Sequence, residues 1–238
     1  MESIQVRLSR HEVDQAIYID FEGQTDKHPV VLGILAAGCL LLGDDERSLE
    51  PDDVEQYIVA DSFHDIASGT ELPMEPIQSV VSDLVSYAEE NNSVLIGWSN
   101  HEAEVVSKYC SPQLAARFTA VYRSAIPTAR SWRTAKSPGR FTRSAGQPTN
   151  RLSAYLSMIG YKVPPAHGTG RTGVTLGRLA AQIAKGRSFA ELPPRLRARW
   201  RNLLGHNRHD CLGLREVCRA ATASQQWPIL RFPIQSGN

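Results

Sequence analysis

Between residues 15 and 98 the apolar residues change their periodicity in a definite order. Three strand-like runs rich in aliphatic and β-branched residues come first, at 15–23, 30–42 and 56–60. A segment at 76–90 follows with apolar residues at the spacing of one helical face, and then a short apolar run at 94–98 of the kind buried inside a sheet. This order predicts an α/β fold on a mixed sheet, with an antiparallel meander as its first three strands.

The second half of the chain is predicted to be mainly helical. Helical patterns cover 101–108, 112–124, 151–159, 176–184 and 194–221, the last with an expected break near Gly205, and a loop covers 137–150. Hydrophobic residues make up 42% and charged residues 21% of the chain, which are ordinary values for a globular protein. We therefore expect one domain over residues 1–238, with a helical insertion at about 111–190.

Two carboxylates stand at the end of the first predicted strand. Asp20 and Glu22 are two residues apart, so a strand projects both side chains to the same face. Like charges at this spacing repel each other unless a cation lies between them, and Mg²⁺ favours carboxylate oxygens together with water. A solvent-facing strand edge would also explain such a pair.

Two further polar clusters follow along the chain. The sequence SNHE comes directly after the strand at 94–98, and its Glu102 either supplies a third carboxylate or simply interacts with the positive end of the next helix. In the sequence GHNRHDC, His206 and Asp210 form an i, i+4 pair on one helical face, whereas His209 points elsewhere. Alone, this pair would equally fit an aspartate that caps a helix and two surface histidines.

Together the three clusters resemble the motifs of the DEDD-type 3′-to-5′ exonuclease superfamily, which has the ribonuclease H-like fold. YIDFEG resembles its first motif and VLIGWSNHEAEVVSKY its second. LLGHNRHDCLGLREVC resembles the third, close to the YNxxDC version found in a branch of predicted nucleases. RLSAYLSMIGY is similar to a short helix ending in Leu-Gly in that branch, and the motif order spans roughly residues 14–220.

The resemblance implies a ribonuclease H-like β-β-β-α-β core and a two-metal hydrolysis of phosphodiester bonds. Asp20, Glu22, Glu102 and Asp210 would bind two Mg²⁺ or Mn²⁺ ions, one activating a water and the other stabilising the leaving 3′-oxygen. His206 would orient or deprotonate that water.

Two positions depart from the family pattern. Glu102 stands where most of the superfamily has Asp, although the YNxxDC branch often has Glu. His206 replaces the motif tyrosine four residues ahead of Asp210, whereas the usual histidine variant places its histidine five residues ahead.

Charge is distributed very unevenly along the chain. Residues 1–104 contain 22 acids against 4 Lys and Arg, whereas residues 105–190 contain fourteen Lys and Arg and no acid. This asymmetry predicts a polyanionic partner, although the two halves could instead complement each other within the fold. The candidate nucleic-acid-binding cations are interleaved with the aromatic residues Tyr122, Trp132 and Phe141, which could stack on bases, although an ordinary solvated surface would also explain them. The candidate nucleic-acid-binding residues are Arg123, Arg130, Trp132, Arg133, Lys136, Arg140 and Arg143.

A glycine-rich sequence, HGTGRTG at 167–173, matches the GxGxxG spacing but does not follow a strand, so a dinucleotide site is not expected. We expect a loop there that contacts phosphate through Arg171.

The compartment is predicted to be cytoplasmic. The N-terminal sequence has no apolar stretch typical of a signal peptide, and no apolar run has the length of a membrane span. Four scattered cysteines without a CxxC pair disfavour a zinc knuckle or a disulfide framework.

The expected function is that of a 3′-to-5′ exonuclease on single-stranded DNA or RNA. Two alternatives stay open: a catalytically inactive nucleic-acid-binding or scaffold module, and an endonuclease that acts within hybrids.

Overall fold

The computed structural model describes residues 7–24, 27–36, 53–136, 150–167 and 172–223. In these residues a five-stranded mixed sheet has the order β3-β2-β1-β4-β5. The first three strands pair antiparallel, and β1, β4 and β5 are parallel to one another. The strands are β1 Ile17–Glu22, β2 Val31–Leu35, β3 Glu55–Ile58, β4 Leu95–Gly97 and β5 Tyr122–Ser124. The predicted α/β class, meander and mixed sheet are confirmed.

The strand β5 was not predicted, because its residues lie in the segment 112–124 that was assigned to a helix. Three residues are too few to show the alternation typical of a strand. Their extended conformation depends on parallel pairing with β4, in which Leu95 lies opposite Tyr122. The predicted helical insertion therefore also supplies an edge strand of the sheet.

Helices cover most of the remaining described residues. They are α1 Arg10–Gln15, α2 His64–Thr70, α3 Ile77–Glu90, α4 His101–Tyr109, α5 Pro112–Val121, α6 Ile126–Lys136, α7 Leu152–Ile159, α8 Thr172–Ile183 and α9 Pro194–Ala223. None of the helices in these ranges is both long and apolar enough to cross a lipid bilayer.

The last helix, α9, continues through Gly205, where a break was predicted. A glycine inside a helix costs about 1 kcal/mol relative to alanine. Here the missing side chain leaves space for His167, because a Cβ on Gly205 would lie 2.5 Å from His167 Nε2. This glycine therefore permits a close contact with the segment before α8.

The sheet is packed between helices on both faces. Ile17, Ile19 and Phe21 of β1 pack with α3 and α5 on one face. Tyr18 packs on the other face with Cys211 and other residues of α9. Because side chains alternate along a strand, the face that holds Tyr18 also holds Asp20 and Glu22. The fold thus directs both carboxylates towards α9.

Candidate metal centre

An acidic cluster forms where the end of β1 meets the middle of α9. Glu22 comes from β1, and His206 and Asp210 come from successive turns of the helix. His206 Nε2 lies 3.8 Å from Glu22 Oε1 and 3.6 Å from Asp210 Oδ2. Each of the three residues offers one ligand atom, and these atoms all lie within 4.8 Å of one another. Such a group of oxygen and nitrogen atoms could bind a divalent cation.

Asp20 is held beside this cluster by Asn207, which is completely buried. Asn207 Nδ2 donates hydrogen bonds to Asp20 Oδ2 at 2.8 Å and to the Asp20 carbonyl at 2.9 Å. Asn207 Oδ1 accepts a hydrogen bond from Gln56 Nε2 at 2.7 Å. The amide lies over Gly33, where a Cβ would be 2.3 Å from its Oδ1. One side chain therefore bridges β1 and β3 above the middle strand β2.

Glu102 belongs to the first turn of α4, the helix that follows β4. It is 3% exposed, and its Oε2 lies 2.8 Å from the Tyr122 hydroxyl. A Cβ on Gly97 would lie 2.7 Å from the same carboxylate oxygen, so the absence of a side chain in β4 makes room for Glu102.

The hydroxyl of Tyr122 has two acceptors but only one hydrogen. It contacts the Ser99 carbonyl as well as the Glu102 carboxyl group. A phenol has one hydrogen to donate, so the two acceptors compete for it, and its donation to Glu102 favours the ionised carboxylate. Burial and the charge of Asp20 outweigh this effect and raise the pKa of Glu102 to about 7.

The other three carboxyl groups share this tendency to hold protons. Burial and the charge of Asp210 raise the pKa of Asp20 to about 7, and burial alone raises the pKa of Asp210 to about 7. Burial, followed by the charges of Asp20 and Asp210, raises the pKa of Glu22 well above its ordinary value. A bound cation would act in the opposite direction, because it stabilises ionised carboxylates. The donor set therefore fits a hard divalent ion.

Three of the five residues predicted to form the site make up one tight cluster, and the other two, Asp20 and Glu102, lie outside it. Glu22, His206 and Asp210 form the tight cluster, and Asp20 is near enough to influence the pKa of Glu22 and of Glu102. The Glu102 carboxyl group contacts the Tyr122 hydroxyl, and the charge of Asp20 raises the pKa of Glu102.

The sequence did not reveal the supporting role of three residues, Asn207, Gln56 and Tyr122; Tyr122 was expected to stack on bases and instead contacts Glu102. Asn207 lies between His206 and Asp210, and its place in the third motif was the available signal. Gln56 and Tyr122 showed no comparable signal, because their partners Asn207 and Glu102 lie 151 and 20 residues away in the chain.

The predicted nucleic-acid-binding residues are not all at the surface. Arg130 and Lys136 are exposed on α6, and partly exposed Arg123 lies 3.7 Å from Glu12 Oε1. Arg140, Phe141, Arg143 and Arg171 lie outside the described residues.

Trp132 and Arg133 differ from the expectation of a surface patch. They are 8% and 9% exposed, and Trp132 packs with residues of α7 and α9. The Arg133 guanidinium lies over the Tyr155 ring, 4.7 Å from its centroid. Trp132, one of the aromatic residues predicted to stack on bases, is thus a core residue, because the apolar face of α6 packs against the rest of the helical layer.

Comparison with known proteins gave no relative: no family model matches the chain, and neither a curated protein nor a solved structure matches it. The chemistry available to this site is therefore inferred from its own geometry.

Proposed function

We propose that this chain is a metal-dependent nuclease that hydrolyses phosphodiester bonds, most consistent with a 3′-to-5′ exonuclease on single-stranded DNA or RNA. The observation that carries the proposal is the convergence of Glu22 and Asp210 with His206 in one cluster, with Asp20 close enough for the charge of Asp210 to raise its pKa. Clustered acids of this kind repel one another when they are ionised, and a bound cation would relieve that repulsion.

The order of elements supports a ribonuclease H-like interpretation. The chain runs through β1, β2 and β3, then the short helix α2, α3 and β4, which corresponds, apart from α2, to the β-β-β-α-β core that the sequence resemblance implies. The first two motifs lie at the carboxyl ends of the neighbouring parallel strands β1 and β4, and the third lies on α9, which packs against β1. This is what the resemblance requires of a shared catalytic site.

Four carboxylates would hold the ions in the proposed mechanism: Asp20, Glu22, Glu102 and Asp210. Two bound divalent ions would supply an activated water and charge stabilisation for the leaving 3′-oxygen. Asn207 fixes the orientation of Asp20, and Tyr122 fixes that of Glu102. Neither of these two residues needs to contact the substrate.

His206 is placed to handle the proton of the attacking water. Its Nε2 lies between Glu22 and Asp210, at the centre of the cluster. In the proposed reaction the water oxygen forms a bond to phosphorus, its proton passes to His206 Nε2, and the P–O3′ bond breaks. The leaving 3′-oxygen is protonated from solvent, so the atoms and charges balance.

The proposal is tested with an end-labelled single-stranded oligonucleotide and Mg²⁺ or Mn²⁺. We expect stepwise shortening by the wild type and its loss in D20N and D210N. The matched control is D83N, the same substitution at an exposed position of α3, on the other face of the sheet. If the wild type leaves DNA and RNA intact with either ion, the nuclease proposal is wrong.

Two further substrates separate the alternatives. Cutting of a circular strand would show endonuclease activity, because a circle has no 3′ end. Salt-sensitive oligonucleotide binding without any cleavage would instead support an inactive binding module.

A further inference from the structure

A cavity of about 510 Å³ lies between α8 and α9, directly beside the metal centre. His206 and Thr172 are both part of its wall. The Thr172 side chain also makes a hydrogen bond to Glu22. The cavity therefore borders the cluster of Glu22, His206 and Asp210 at His206.

The position of α8 relative to this cluster is fixed by the end of β1. Gln24 Nε2 donates a hydrogen bond to the Gly173 carbonyl at 2.8 Å. The same amide packs on Gly177, where a Cβ would lie 2.5 Å from Gln24 Nε2. These contacts hold the first turns of α8 against Gln24, which lies two residues beyond Glu22. They therefore fix the distance between the cavity and the proposed site of hydrolysis.

The walls combine the types of group that a nucleotide requires. Arg178 and Val174 share one face of α8 at i, i+4 spacing, and both line the cavity. Val174 is 55% exposed, which is unusual for a large aliphatic residue here. Across the cavity α9 contributes Arg199 and Asn202. Cations and an amide suit a phosphate, whereas an exposed apolar side chain suits a sugar or base.

Helix geometry shows how far Arg199 lies from the metal centre. Arg199 and His206 are seven residues apart, or about 10 Å along α9. Side chains on a helix lean towards its N-terminus, so the guanidinium extends further from the metal centre. Arg199 could therefore contact a phosphate other than the one being cleaved.

Electrostatics gives a reason for cations at this distance. A strand that places one phosphate in a centre of four carboxylates must bring its neighbouring phosphates close to the same acids. Ions held by these carboxylates would compensate the charge at the scissile phosphate, but the neighbouring phosphates would need a separate positive partner.

We infer that the cavity between α8 and α9 is a subsite for a phosphate of the nucleic-acid strand adjacent to the scissile bond, with Arg178 and Arg199 as its cationic groups. This inference rests on the proposed nuclease function. It assigns strand binding to α8 and α9, a surface distinct from the basic segment around α6 that the sequence suggested.

The test measures binding of a fluorescent single-stranded 12-mer by anisotropy at several salt concentrations. The D20N background keeps the strand intact in the presence of Mg²⁺. We expect R178Q and R199Q each to weaken binding about fivefold and to reduce the slope of log K against log salt by about 0.7. The control R187Q changes an exposed arginine beyond the end of α8 and should bind like its parent.

One further variant and a measurement of folding serve as controls. R178K keeps the positive charge and should retain most of the affinity, and circular dichroism confirms that each variant is folded. If R178Q and R199Q both bind like R187Q, the subsite is wrong. Nucleoside 5′-monophosphate serves as a second ligand: if the arginine substitutions weaken monophosphate binding but leave 12-mer binding unchanged, the cavity is a site for free phosphate esters and the assignment to a strand is wrong.

Cleavage by otherwise wild-type protein separates this inference from the function on which it rests. Cleavage with unchanged binding by the arginine variants overturns the subsite alone. No cleavage by the wild type overturns the nuclease proposal, and the assignment of a phosphate next to a scissile bond falls with it.

Discussion

Asn207 donates a hydrogen bond to the carboxylate of Asp20 across 187 residues of sequence, with 2.8 Å between Nδ2 and Oδ2. The same side chain also binds the Asp20 carbonyl and accepts a hydrogen bond from Gln56. A fully buried amide with all these partners has little freedom to rotate. Asp20 is consequently fixed in one orientation before any metal binds, which is the preorganisation that a metal site requires.

Replacement of Asn207 by leucine should impair both stability and turnover. The substitution leaves Asp20 and Gln56 without their buried partner, and we expect the free energy of unfolding to fall by about 2–4 kcal/mol. The value of kcat should fall at least tenfold, with little change in KM, because substrate does not contact Asn207. Urea denaturation and steady-state kinetics measure the two effects.

Gln56→Ala is the milder companion variant, because it keeps the bonds from Asn207 to Asp20. Asn91→Ala is the matched control, since Asn91 is exposed at the end of α3. A strong loss of kcat in Asn91→Ala, or normal kcat in a folded Asn207→Leu protein, would contradict the positioning role.

Gly33→Ala tests whether space for Asn207 is essential. The added Cβ would lie 2.3 Å from Asn207 Oδ1, so the amide must move and its hydrogen bonds must weaken. We expect a loss of about 2–4 kcal/mol in the free energy of unfolding. Gly173→Ala is the control, because a Cβ there meets no atom within 4 Å. Equal stability of the two alanine variants would show that Asn207 can shift without cost.

The metal-free protein should lose stability as pH rises. The pKa values of Asp20, Glu102 and Asp210 lie at about 7 in the folded chain, above the ordinary carboxyl range. Groups with a raised folded pKa stabilise the fold fully below their unfolded pKa, and this contribution disappears as pH rises through 7. In EDTA we expect Tm to fall by about 5 °C between about pH 5 and about pH 8.5.

Mn²⁺ should reverse this trend, because the ion binds the deprotonated carboxylates and its stabilisation grows with pH. D210N removes one buried charge, so in EDTA at about pH 8 its Tm should exceed that of the wild type. Differential scanning fluorimetry measures both effects, with D83N as the control. A metal-free Tm that rises over this pH range would refute the predicted linkage.

Tyr122→Phe should shift the pH dependence of metal binding. The hydrogen bond from Tyr122 lowers the pKa of Glu102, so its removal raises that pKa further. More of Glu102 is then protonated at pH 7, and we expect a severalfold higher Mn²⁺ concentration for half-saturation, with recovery at higher pH. Isothermal titration calorimetry at two pH values measures this change.

Tyr109→Phe removes a hydroxyl from a tyrosine at the end of α4 and serves as the control. A Tyr122→Phe protein with the Mn²⁺ affinity of the wild type at both pH values would show that Glu102 is not a metal ligand.

Local patterns in the sequence determined the elements and the residues that each of them contributes. Alternation along β1 placed Asp20 and Glu22 on one face, and the i, i+4 spacing in α9 placed His206 with Asp210. Both follow from the geometry of a single strand or helix, which depends only on neighbouring residues.

Tertiary structure decided how these elements meet. The strand β5 exists through its pairing with β4, and it brings Tyr122 to Glu102. The contact of Asn207 with Asp20 and the burial of Trp132 likewise depend on which face of one helix packs against elements distant in sequence. Packing of this kind depends on shape, burial and hydrogen bonding across the whole fold, so the local periodicity of the sequence does not predict it.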